Sequence, residues 1–81
     1  MTGVADPALK VALRHLRAVK SERPTGTEPG EFAHWRDRIA DALDALAGVL
    51  PFEEDQIRAD AEASAARDQA DRIRRTGEVM L

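Results

Sequence analysis

A heptad pattern that breaks at Pro51 constrains this chain more than any other feature. Apolar residues in the middle of the sequence recur at alternating spacings of three and four, namely Phe32, Trp35, Ile39, Ala42, Leu46 and Val49, which is typical of a helix packed along a seam. Continued in sevens from Leu46, the same line would bury Glu53, Asp60, Arg67 and Arg74. Burying unpaired charges is prohibitive. The sequence therefore predicts two helices that reverse at Pro51 as an antiparallel hairpin, with a kinked rod inside a dimer as the alternative.

The segment after Pro51 predicts a helix whose seam consists of small side chains. Its heptad positions are Phe52, Gln56, Ala59, Ala63, Ala66, Ala70 and Ile73. Acidic residues 53–55 at its start and arginines at 72, 74 and 75 near its end suit the helix dipole, and Gly77 is a typical stop. Because alanines let two backbones approach closely, we expect this seam to pack against larger residues of the preceding helix. Asp37, Asp41 and Asp44 of that helix are expected on its solvated side.

The N-terminal part predicts one more helix, joined to the hairpin by a linker. Asp6 and Pro7 form a strong helix start, and apolar residues follow at helical spacing to Val19. Two prolines and two glycines lie between residues 23 and 30. We therefore predict a single all-α domain over residues 1–81, with helices at about 6–22, 30–49 and 51–76, a linker at 23–30 and a tail at 77–81. It would be an antiparallel hairpin plus an N-terminal helix, either a three-helix bundle or an oligomeric helical assembly.

The composition limits how much apolar surface the chain can bury alone. Of its 35 apolar residues 15 are alanine, and it has no cysteine, so disulfides and thiolate chemistry are excluded. Natural chains of this size often depend on disulfides, metals or partner subunits for stability. Association with another protein is the route that this composition favours.

The charge of −3 argues against dominant binding to nucleic acid or anionic membranes. No segment approaches the roughly 18 apolar residues that a membrane span needs. The N-terminus lacks the pattern of a secretory signal, so we expect a cytoplasmic protein. The excess of arginine over lysine, with abundant alanine, is consistent with a bacterial genome rich in G and C.

Several apolar residues lie off the main seams and are candidates for a partner interface. Ile57, Ala61 and Ala65 form a second line on the third helix, which either the first helix or another protein would cover. Val11 is similarly displaced on the first helix. The tail residues Val79, Met80 and Leu81 would pack on the end of the domain or dock on a partner.

The first helix also carries a candidate charged contact face, formed by Lys10, Arg14 and Arg17. Such a stripe is usually solvated, but it could bind phosphates or an acidic partner. A DNA-associated or antitoxin-like regulator is therefore the principal alternative function. The sequence shows no helix-turn-helix spacing and no aromatic residues free for stacking.

Chemistry-bearing motifs are weak. Glu31 and His34 have the Glu-x-x-His spacing of helical di-iron sites, but the seam of the third helix offers no further inward-facing glutamates, so a metal protein is only a second alternative. The two serines lack a nucleophile-elbow context and the five glycines form no phosphate loop. We predict no enzyme activity, no cofactor and no small-molecule substrate. The favoured function is a helical accessory or regulatory subunit that self-associates or binds a larger protein.

Overall fold

The computed structural model describes residues 6–77 and contains three helices in that range. They are α1 (Pro7–Ser21), α2 (Pro29–Ala47) and α3 (Glu53–Thr76). No strand occurs between residues 6 and 77. The predicted all-α class is confirmed, and α2 packs closely against α3 as the predicted hairpin. The kinked rod is therefore wrong for this chain.

Local capping explains where the helices begin and end. Asp6 Oδ1 accepts a hydrogen bond of 2.9 Å from the Ala8 N–H, and Pro7 occupies the first turn, where its missing N–H has no cost. Gly77 ends α3 in the left-handed region, with φ of 71°, and its N–H donates to the Ile73 carbonyl over 2.7 Å. Glycine adopts that conformation without the steric penalty of a Cβ. Each helix end lies within two residues of its predicted position.

The α2–α3 seam is built from alanine on both helices. Ala33 and Ala40 of α2 and Ala66 and Ala70 of α3 are fully buried. Small residues allow the two backbones to approach closely, and Phe32 and Ile73 fill the space at one end of the seam. The interior of the hairpin is therefore excluded from solvent although it contains few large side chains.

Ion pairs cross one edge of this hairpin. Arg67 of α3 donates to Asp41 over 3.0 Å and to Asp44 over 2.5 Å, and Arg74 donates to Asp37. Hydrogen bonds from Arg67 to Asp44 and Asp41 raise the pKa of its guanidinium above the ordinary value. The aspartates are partly solvated, as the sequence indicates, and they also join α2 to α3 across this edge. Such exposed pairs each contribute only about 0–1 kcal/mol.

Helix α1 packs mainly against α2, and its buried side chains also join the core cluster that includes Ala63 and Ala66 of α3. The Trp35 indole Nε1 donates a 2.7 Å hydrogen bond to the Val19 carbonyl, and Arg38 pairs with Glu22. These contacts join the end of α1 to the start of α2, so the two helices run antiparallel. Over residues 7–21 and 53–76, no Cα atom of α1 lies within 8 Å of a Cα atom of α3. The helices thus form an open arrangement with α2 in the middle, extending 50 × 22 × 15 Å.

Replacing Trp35 by phenylalanine tests how α1 is held. A smaller phenyl ring replaces the indole and the hydrogen bond to the Val19 carbonyl is lost, so we expect a loss of at least about 1 kcal/mol in the free energy of unfolding. Hydrogen exchange should accelerate mainly in the last turn of α1. Denaturant unfolding and amide exchange measure the two effects. Unchanged exchange in α1 would contradict this role for the indole.

Candidate interaction surface

The predicted partner residues within the described chain are exposed. The exposed fraction is 61% for Val11 and 62% for Ile57, and Ala61 and Ala65 are also exposed. The sequence allowed either α1 or another protein to cover the line formed by Ile57, Ala61 and Ala65. Because these residues are exposed, α1 does not cover them. Val79, Met80 and Leu81 lie outside residues 6–77.

Phe52 is an exposed apolar residue that the sequence analysis placed in the α3 seam, and that placement is wrong. Its exposed fraction is 67%. Phe52 is the N-cap of α3 and has extended backbone angles, φ −112° and ψ 134°, so heptad spacing does not govern its direction. Its position between Pro51 and the acidic first turn was the available signal, because the residue before a first helical turn is non-helical.

Between residues 6 and 77, the three exposed large apolar residues occupy the same half of the molecule. Phe52 and Ile57 lie at the α2–α3 turn and the start of α3. Because α1 runs antiparallel to α2, Val11 in its first half lies toward the same end. Single exposed apolar residues are ordinary. Three of them concentrated in one half of a small chain form a candidate surface for another protein.

A shallow groove runs along α2 on the side facing α3. Two depressions of about 190 and 210 Å³ form it and share Glu62. Its floor consists of four α2-side residues, Ile39, Leu43, Leu46 and Leu50. Lys20 of α1, Arg36 and Ala65 line one end, and Asp55, Arg58 and Ala59 line the other. Because the floor residues are already largely buried, the groove offers limited additional apolar area.

A larger cavity of about 510 Å³ lies beside the linker, between residues 23–27, Phe32 and Gly77. The Arg23 guanidinium is 5.5 Å from the Phe32 ring centre and 5.8 Å from that of Trp35, which is cation–π geometry. Threonine hydroxyls at 25 and 27 add polar groups. No carboxylate, histidine or serine lines this cavity among the residues described.

The predicted charged face is exposed on α1. Lys10, Arg14 and Arg17 all lie at the surface, and none of them forms an ion pair within residues 6–77. Three cations on one helix therefore remain available to an anionic partner.

Glu31 and His34 are both exposed. In the part of the chain that the structure describes, no three histidine, cysteine or acidic residues are grouped to hold a metal ion. None of the helices there is long and apolar enough to cross a membrane.

Comparisons with protein-family models, with curated proteins and with solved structures find no match to this chain. The functional proposal therefore depends on the chain's own surface.

Proposed function

We propose that this chain is a non-enzymatic protein-interaction module, a small helical accessory or regulatory subunit that self-associates or binds a larger protein. The observation that carries the proposal is the exposure of Val11, Phe52 and Ile57 in one half of the molecule. Burying a large apolar side chain contributes about 1.5–3 kcal/mol. A partner that covers this half would thus gain more binding free energy from apolar burial than surface ion pairs provide.

The open arrangement of helices supports the proposal. Helix α3 contacts α2 along its alanine seam and leaves its opposite side, including Ile57, in solvent. No Cα atom of α1 lies within 8 Å of a Cα atom of α3, and the described chain leaves this face exposed. A cytoplasmic location in a bacterium and a coiled-coil-like contact are parts of the same proposal.

Sedimentation of the purified chain over a dilution series, together with identification of co-purifying proteins, tests the module. We expect association that weakens at least tenfold in a Phe52→Ser, Ile57→Ser double variant, because about 3 kcal/mol or more of apolar burial is removed. Ala45→Ser, at an exposed α2 position, is the control and should associate normally. A compact monomer with no co-purifying protein would contradict the proposal.

A DNA-associated regulator is the second candidate, favoured by the unpaired cations Lys10, Arg14 and Arg17 on α1. Binding through phosphates would weaken steeply with salt. Arg14→Glu should then weaken DNA binding without changing the helical content. The absence of binding at low salt would eliminate this candidate.

A further inference from the structure

The side of α3 that faces away from α2 carries a continuous exposed stripe. At about 100° per residue, eight residues share this side: Glu54, Ile57, Ala61, Ser64, Ala65, Asp68, Arg72 and Arg75. Ala65 lies at the edge of this side, where it also lines the depression next to Lys20 and Ile39. All eight are exposed. We call them the outer stripe of α3. Its spacing of three and four residues is the spacing by which one helix packs along another.

In the described part of the chain, the charged residues of the outer stripe form no ion pairs, whereas those on the side of α3 that faces α2 do. Arg67 and Arg74, which flank the alanine seam, pair with aspartates of α2. In contrast, Glu54, Arg72 and Arg75 form no ion pair with any residue between 6 and 77. The first half of the stripe thus carries one unpaired anion, Glu54, and the second half carries Asp68 with two unpaired cations, a net charge of −1 against +1.

This polarity fits a second copy of the same helix in the opposite direction. About a two-fold axis between Ser64 and Ala65, every stripe residue meets another stripe residue: Glu54 meets Arg75, Ile57 meets Arg72, Ala61 meets Asp68 and Ser64 meets Ala65. A parallel arrangement would instead place Glu54 beside Glu54. Charge complementarity therefore selects the antiparallel arrangement.

We propose that the chain forms a symmetric dimer through antiparallel contact of the outer stripes of two α3 helices. This inference rests on the proposed function and names its partner as a second copy. Ser64, Ala65 and Ala61 lie at the centre, where small side chains allow close approach. The Ile57 side chain packs under the aliphatic stem of Arg72 from the second copy, since arginine stems cover apolar surface while their charge stays hydrated.

The two ends of the contact carry the specific charge pairs. Glu54 and Arg75 lie about 16 Å on either side of the two-fold axis, from the rise of about 1.5 Å per residue. Asp68 faces Ala61 of the second copy and lies four residues before Arg72 on its own helix, a spacing at which opposite charges attract. One helix–helix contact is at the small end of stable interfaces, so the dimer dissociates on dilution.

Cysteine cross-linking tests the position of the axis. The chain has no cysteine and only two serines, Ser21 and Ser64, so the same substitution can be made inside and outside the proposed contact. Under mild oxidation we expect Ser64→Cys to form a covalent dimer rapidly and Ser21→Cys, exposed on α1, to remain largely monomeric. Equal cross-linking of the two variants, or none at Ser64→Cys, would overturn the proposal.

Charge exchange tests the direction of the helices. We expect Glu54→Arg alone and Arg75→Glu alone each to raise the dimer Kd roughly tenfold, because two attractive contacts become repulsive. The double variant should restore dimerisation. Altered helix dipole interactions cannot explain a restoration, since both substitutions oppose the dipole. A double variant as weak as the single variants would overturn the antiparallel contact.

Failure of this inference can be distinguished from failure of the proposed function. Two outcomes overturn the outer-stripe contact but not the proposed function. One is a dimer that forms without cross-linking at position 64, and the other is a monomer that co-purifies with a different protein. A monomer without any partner overturns both.

Discussion

An Ile39→Ala chain is expected to lose about 3 kcal/mol of its free energy of unfolding. Ile39 is buried in the core that all three helices share, together with Leu16 of α1 and Ala66 of α3. Removing three carbons there leaves a cavity, and such changes cost about 2–5 kcal/mol. A domain of this length has roughly 4–12 kcal/mol in total. The substitution should therefore remove a large part of the stability.

Denaturant unfolding at low protein concentration measures this loss, and Ile57→Ala is the matched control. It deletes the same atoms from an exposed position, where substitutions usually change stability by less than about 0.5 kcal/mol. Equal losses in the two variants would show that Ile39 is not in the core as described.

Enlarging Ala70 to leucine is expected to cost about 2 kcal/mol or more. Ala70 is fully buried and packs with Phe32, Ala33 and Ile73 between α2 and α3. A leucine cannot enter this seam without moving a backbone or forcing strained rotamers. The hairpin should therefore open or shift its register.

Thermal unfolding measures this effect, and Ala45→Leu provides the control. Ala45 is exposed on α2, so the same enlargement there meets no neighbour and alters helix propensity little. A stable Ala70→Leu chain with an unchanged melting temperature would contradict the close approach of the two helices.

The hairpin was predictable because its evidence is local. Pro7, Pro51 and Gly77 mark helix ends through backbone chemistry that does not depend on the rest of the fold. The charged residues that a continued heptad would bury exclude a straight rod without any knowledge of packing. The alanine seam is visible as a repeat, and each of its members from Ala59 to Ala70 is buried.

The placement of α1 was not predictable, because its apolar face is compatible with more than one neighbour. The stripe from Leu9 to Val19 shows that one side is buried but not which helix covers it. The Trp35 hydrogen bond and the Arg38–Glu22 pair decide this, and both join residues across the linker. Phe52 was misplaced because it precedes the helix whose periodicity was used to orient it.

The candidate surface was predictable only in part. Ile57, Ala61 and Ala65 lie off the seam by spacing alone, and their exposure follows once α1 is known to contact α2. Whether they meet another protein stays a prediction. The charge pairing proposed for the outer stripe could be recognised only from the ion pairs in the structure, since the sequence does not show which arginines of α3 already pair with α2.

The alanine seam also affects the entropy of folding. A buried leucine or methionine loses rotamer freedom, at about 0.5–2 kcal/mol for each residue, whereas alanine has no side-chain rotamers to lose. The alanines of α3 therefore contribute little free energy from apolar burial. The only conformational entropy that they lose on folding is that of the backbone. Close contact between α2 and α3 is thus obtained without freezing a set of long side chains.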